Sequence, residues 1–317
     1  MKALITGVAG FIGSHLSAAL TDRGAQVVGL DCFTDYYPRD IKAANLATVE
    51  GRPNFRFVEG ALQTIALEPL LAGVTHVFHL AAQAGVRRSW GDEFRVYTSH
   101  NVEATQRLLE AVKGTPLHRF VYASSSSVYG DIVTIPMRED AYLQPVSPYG
   151  VTKLAAEHLC HLYYANYQVP AVSLRYFTVY GPRQRPDMAF NKFLRAALSG
   201  QPITMYGDGR QTRDFTYVAD AVAATMAAGD RGRPGAVYNI GGGSRVSMLE
   251  ILDILRRVTG RELDVRQEPA QKGDMRDTFA DTTRAQVDLG FAPSHSLESG
   301  LSAECDWMAR QLAVPLR

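Results

Sequence analysis

A chain of 317 residues in which 46% are apolar is long enough for one large core, or for a core with an attached lobe. Its 33 basic and 32 acidic residues are well mixed and leave a net charge of +1, which argues against a nucleic-acid partner. No apolar run approaches membrane-helix length, and the three cysteines (Cys32, Cys160 and Cys305) are far apart and outside any metal-type spacing, so no membrane or metal is expected and a reducing, cytoplasmic compartment is.

Residues 2–6 read as a buried strand and residues 13–23 as an amphipathic helix, with glycines at 7, 10 and 13 between them. That spacing suits a dinucleotide. Gly7 permits a tight turn, Gly10 lets backbone N–H groups approach a pyrophosphate, and Gly13 lets the helix pack close to the strand. The apolar stretch after Lys2 is therefore a strand and glycine loop, not a leader. A second strand at 26–30 ends at Asp31. A carboxylate there accepts hydrogen bonds from an adenosine ribose diol and repels a 2′-phosphate, which favours NAD over NADP.

The alternation continues. Residues 39–50 read as a helix, 54–58 and 75–80 as strands, 89–113 as a helix, 118–123 as a strand, 149–167 as a helix and 171–175 as a strand. The fold class is α/β, a doubly wound parallel sheet of the Rossmann type. Beyond Gly181, glycine and proline become frequent, as in Gly200-Gln-Pro202 and Gly207-Asp-Gly209, and a smaller mixed α/β lobe is expected. Residues 1–180 then form the NAD-binding domain with the catalytic groups. Residues 181–317 are mainly substrate lobe, with segments around 215–245 returning to the main sheet. Residues 238–240 are one such strand, and 247–260 is a helix closed by glycine.

Two further clusters carry chemistry. Ser147-Pro148 is a good helix start, and it places Tyr149 and Lys153 four residues apart on one helical face. A phenol with a free pKa of roughly 10 is a poor base near neutrality. An ammonium one turn away, with the positive nicotinamide ring of NAD, favours the phenolate and yields a base for a substrate hydroxyl during hydride transfer. The run Ser124-Ser-Ser-Ser127 follows a buried strand, at the sheet edge where ligands bind in open α/β folds.

The glycine pattern, the serines after a strand and Tyr149-x-x-x-Lys153 resemble the extended short-chain dehydrogenase/reductase family over essentially the whole chain. The resemblance implies that Ser125 partners Tyr149 and that Lys153 completes the catalytic set. It implies cofactor contacts from Gly7, Gly10, Phe11, Ile12, Gly13, Asp31, Leu80, Ala81, Ala82, Asn101 and Tyr176, beside Tyr149 and Lys153. Arg213-Asp-Phe-Thr-Tyr-Val218 is similar to the diphosphate motif of the nucleotide-sugar subgroup. Arg213 is then expected at the diphosphate, Tyr206 near uracil, and Gln271 and Asp274 at the uridine ribose. One departure is Ala61, where relatives carry an aspartate that contacts adenine.

At Ser126 and Ser127 the 4,6-dehydratases of this family carry an Asp-Glu pair, and the uronate decarboxylases also place an acidic residue beside the serines. Serine cannot replace such an acid/base, so dehydration and decarboxylation are disfavoured. Asp35-Tyr-Tyr37, the serine run and the segment 178–189 resemble UDP-glucuronate 4-epimerases. Ser125, Ser126, Ser127 and Thr178 could hold sugar oxygens, and Arg185 offers a fork matched to a C6 carboxylate. The function implied is NAD-dependent 4-epimerisation of a UDP-sugar through a transient 4-keto intermediate, on a likeness that also suggests a homodimer. Alternatives are a UDP-glucose or UDP-N-acetylhexosamine 4-epimerase and, from another class, a non-catalytic NAD-binding sensor or scaffold. Intact Tyr149 and Lys153 argue against the sensor.

Overall fold

The computed structural model describes residues 1–131, 134–269 and 275–313. Twelve strands follow in chain order: β1 (Lys2–Thr6), β2 (Gln26–Asp31), β3 (Phe55–Glu59), β4 (His76–His79), β5 (Arg119–Ser125), β6 (Ala171–Tyr176), β7 (Thr178–Tyr180), β8 (Ile203–Tyr206), β9 (Thr212–Tyr217), β10 (Val237–Ile240), β11 (Arg245–Ser247) and β12 (Val265–Glu268). Seven build one sheet in the order β10-β6-β5-β4-β1-β2-β3, every neighbouring pair parallel. Strand order reverses at β1, which lies between β2 and β4. A crevice opens beyond the carboxyl ends of the strands at such a switch point.

Parallel strands covered on both faces must be apolar throughout, and β6 is buried at every position. One face packs against the helices Phe11–Asp22 and Val218–Arg231, burying Leu16, Leu20, Ala221 and Val222 against Phe78, Val121 and Val172. The other packs against Ala104–Val112 and Pro148–Tyr167, where Leu108, Leu109, Ala156 and Cys160 meet Phe120 and Tyr122. The lobe has its own core, in which Phe190, Leu194, Ile251, Leu255, Leu301 and Met308 come from three helices. Its sheets are small. β7 and β9 run parallel with β11 antiparallel at the edge, and β8 pairs with β12.

Two expected helices differ. The segment 39–50 is helical only over Arg39–Leu46 and then turns. The segment 89–113 is broken. Trp90 is extended and Gly91 has a φ of +65°, which stops the first turns. A π-helical stretch, Thr98–Glu103, then precedes the regular helix Ala104–Val112. The wide turn sets Asn101, 1% exposed, inward, where Oδ1 accepts from Gln83 N and Nδ2 donates to Gln83 O and Thr152 Oγ1.

Candidate active site

A cleft of about 1330 Å³ lies where the carboxyl ends of β1, β2, β4, β5 and β6 face the lobe. Its shape at one end follows from the glycine loop. Gly7 has a φ of +76°, and a Cβ there would lie 2.8 Å from Ala81 N; a Cβ on Gly13 would lie 2.1 Å from Gly7 O. Gly10 is the N-cap of Phe11–Asp22 and supplies no side chain, so the helix N-terminus faces the cleft bare. Asp31 closes the next strand, with Oδ2 accepting from Ala9 N (3.0 Å) and Oδ1 from Phe33 N (2.9 Å). Arg39, the nearest basic residue after it in sequence, is drawn away by Glu59 at 2.7 Å. A cradle that a methyl group would fill, an uncapped helix start and an anchored carboxylate suit a dinucleotide diphosphate and an unphosphorylated ribose.

At the other end stand the catalytic candidates. Ser147 caps the helix Pro148–Tyr167 by accepting from Gly150 N at 3.1 Å. Gly150 lets this helix abut the serine run, since a Cβ there would lie 2.5 Å from Ser127 O. Tyr149 is hydrogen-bonded to Ser125, whose Oγ also accepts from Ser127 N at 3.2 Å. Burial raises the Tyr149 pKa, while the Ser125 bond and the positive charge of Arg185 oppose the rise. Lys153 is 3% exposed and lies over the Tyr122 ring at 4.8 Å. Desolvation lowers its pKa to about 8, against the raising influence of Cys160 and Glu157. The sequence reading gave the support of the phenolate to Lys153. In the folded protein Lys153 Nζ lies over the β5 tyrosine, and Arg185 and Asp187 act on Tyr149 with opposite signs.

Among the expected cofactor residues, Gly7, Gly10, Phe11, Ile12, Gly13, Asp31, Leu80, Ala81, Ala82, Tyr149, Lys153 and Tyr176 line this one cleft. Asn101 does not. It lies behind the wall, tying the loop after β4 to the catalytic helix. Ser125, Ser126, Ser127, Thr178, Arg185, Tyr206 and Arg213 also line the cleft. Gln271 and Asp274 lie outside the described residues. Beside Ala61, the neighbours Gly60, Leu62 and Gln63 form the wall.

Arg185, expected from the sequence to offer a fork to a carboxylate, already holds one within the protein. Its Nε and Nη2 donate to Asp187 Oδ1 and Oδ2 at 2.9 and 3.0 Å, and the Tyr36 hydroxyl donates to Oδ2 at 3.1 Å. Its remaining N–H groups are left for a ligand. Sequence reasoning also missed a buried network under the serine run. Glu157 accepts from Ser124 Oγ (2.6 Å) and from Arg175 Nε and Nη2 (3.1 and 2.6 Å), and Arg175 reaches the Tyr129 hydroxyl at 2.9 Å. Glu157 follows Lys153 by one helical turn, which was the available signal; Arg175 carried none, being one basic residue in an apolar strand.

Residues 3–241 match the sequence profile of the NAD dependent epimerase/dehydratase family. The chain belongs to this family. Among its members, the Bacillus subtilis protein YtcB, named as an uncharacterized UDP-glucose epimerase, is 44% identical over 98% of both chains. UDP-glucuronate 4-epimerase 3 of Arabidopsis thaliana is 39% identical over 96% of this chain and 75% of its own. The crystal structure of UDP-glucuronic acid 4-epimerase from Bacillus cereus, in complex with UDP-glucuronic acid and NAD, superposes with a TM-score of 0.95 at 44% identity, covering 98% of this chain and all of that one. That superposition spans both the doubly wound sheet and the smaller mixed lobe described above.

Proposed function

We propose that this protein is an NAD-dependent UDP-sugar 4-epimerase whose substrate is UDP-glucuronate and whose product is UDP-galacturonate. The observation that carries the reading is the juxtaposition, in one cleft, of the glycine cradle and Asp31 with Ser125, Tyr149 and Lys153, facing a lobe that presents Thr178, Arg185, Tyr206 and Arg213. The likeness to UDP-glucuronate 4-epimerases over nearly the whole chain supports the choice of sugar.

NAD, held in this cleft, would supply the hydride acceptor and donor for the sugar C4. The remaining work belongs to the protein. The Gly7–Gly13 loop and the helix start beyond it hold the diphosphate of the cofactor, Asp31 its adenosine ribose, and Lys153 the side nearest the reacting carbon. Tyr149 takes the C4 hydroxyl proton while Ser125 holds the same oxygen, and Tyr149 gives the proton back when the ring has turned. Ser126, Ser127 and Thr178 supply neutral hydroxyls, with room for the 4-keto sugar to rotate. Tyr206 and Arg213 hold the uridine diphosphate. The wall beside Ser125 offers Ser126 and Ser127 in place of a carboxylate, so no general acid stands there to protonate the enolate that decarboxylation would leave.

The likeness to relatives also leads us to a homodimer, built on the interrupted helical segment 89–113 and the helix Pro148–Tyr167. On the second of these, Val151, Leu162 and Tyr167 are 48%, 51% and 53% exposed. No helix among the described residues is long and apolar enough to cross a membrane, and a cytoplasmic site suits an enzyme of activated sugars.

The test is incubation of purified protein with a panel of UDP-sugars and analysis of the released sugars. UDP-glucuronate is expected to give galacturonate with little pentose. Predominant pentose means decarboxylation, and preferential turnover of UDP-glucose or a UDP-N-acetylhexosamine means a neutral-sugar epimerase; either overturns the reading.

A further inference from the structure

The charge at the sugar end of the cleft does not balance on Arg185 alone. Arg185 and Asp187 form a two-point ion pair that is neutral as a unit. A uronate brings one more negative charge to the same place. A carboxylate withdrawn from water is held more strongly by a compensating charge than by neutral hydrogen bonds alone.

The ring of Tyr36 is shared by two guanidinium groups. Arg185 is centred 5.9 Å from it and Arg88 5.3 Å. Arg88 lines the same cleft, and among the described residues it has no ion pair and no hydrogen bond from its side chain. Its charge also reaches Tyr97, whose ring packs edge-on against catalytic Tyr149 at a centroid distance of 6.2 Å. Beside the neutral Arg185–Asp187 pair, Arg88 adds one positive charge, opposite in sign to one carboxylate.

Arg88 is held at the rim by its neighbours. It lies in the short turn Arg87–Ser89, where Ser89 is fully buried and donates to Val86 O at 2.6 Å. Gly85, with a φ of +102°, lets Tyr36 pack directly beneath the turn, since a Cβ there would lie 2.1 Å from the Tyr36 hydroxyl. Between these anchors the Arg88 side chain is exposed at the cleft, against the Tyr36 ring.

We propose that Arg88 is a specificity-determining residue that neutralises the C6 carboxylate of the substrate, beside the Arg185–Asp187 pair. The inference rests on the uronate reading above. Its test is calorimetric binding of UDP-glucuronate and of UDP-glucose to NAD-loaded protein carrying Tyr149→Phe, which blocks turnover. Adding Arg88→Gln is expected to weaken UDP-glucuronate by about tenfold or more, as loss of one partner of a charge pair does, while UDP-glucose changes less than about twofold. Arg88→Lys, which keeps the charge, is expected to fall between. An unchanged ratio of the two affinities, or equal weakening of both, overturns the proposal. The two readings fail separately. Turnover of neutral sugars alone by the wild-type protein refutes the substrate assignment, whereas the affinity ratio reports on Arg88 whichever sugar is turned over.

Discussion

Tyr149 works under opposing influences. Burial and Asp187 disfavour its phenolate, and Ser125 and Arg185 favour it. Because the phenol is the proposed base, Tyr149→Phe is expected to lower kcat by roughly 10²–10⁴-fold, with NAD affinity and melting temperature close to wild type. Steady-state kinetics beside calorimetry checks this, and retention of most of the turnover contradicts it. The same environment fixes a pH dependence. Lys153 has its pKa lowered to about 8 by burial, so it is charged below that pH and neutral above it. If its charge helps hold the phenolate and the cofactor, kcat/KM declines as pH rises through about 8; a profile flat to pH 10 contradicts this. Tyr149 and Lys153 were legible because one helix places residues four apart on one face. The Arg185–Asp187–Tyr36 set was not, because Tyr36 comes from a loop 151 positions away from Asp187 and no local pattern joins them.

At the scale of elements, the sequence marked those whose ends carry their own chemistry. Ser147 and Pro148 start the catalytic helix as expected. Ser247 and Glu250 form a reciprocal cap on Met248–Thr259, and Gly260 closes that helix at a φ of +62°. The interrupted segment before Ala104 was illegible, since its π turn serves the inward placement of Asn101 and not any periodicity of its own residues. The glycine loop allows a direct test. Gly13→Ala sets a Cβ against Gly7 O, which is backbone and cannot rotate aside. The helix must shift away from the strand, so NAD affinity is expected to fall by more than about tenfold and the melting temperature to drop. Calorimetry and a thermal melt measure both, and unchanged NAD binding contradicts the assigned role of the loop.

For the whole molecule, alternating apolar strands and amphipathic helices made the doubly wound sheet legible, because each pattern is local and burial on both faces enforces it. The small sheets of the lobe were not, since β7, β9 and β11 are three to six residues long and pair across long loops. That division of labour underlies the central claim: the sheet holds a cofactor that is used and regenerated in place, while the lobe holds a sugar that turns over. The most direct test is epimerisation of UDP-glucuronate carrying deuterium at C4, with the label in the UDP-galacturonate read by mass spectrometry and NMR. The account predicts that the deuterium stays at C4 with inverted configuration and that no NADH accumulates. Exchange of the label for solvent hydrogen would mean that C4 loses a proton and not a hydride, and would contradict the account.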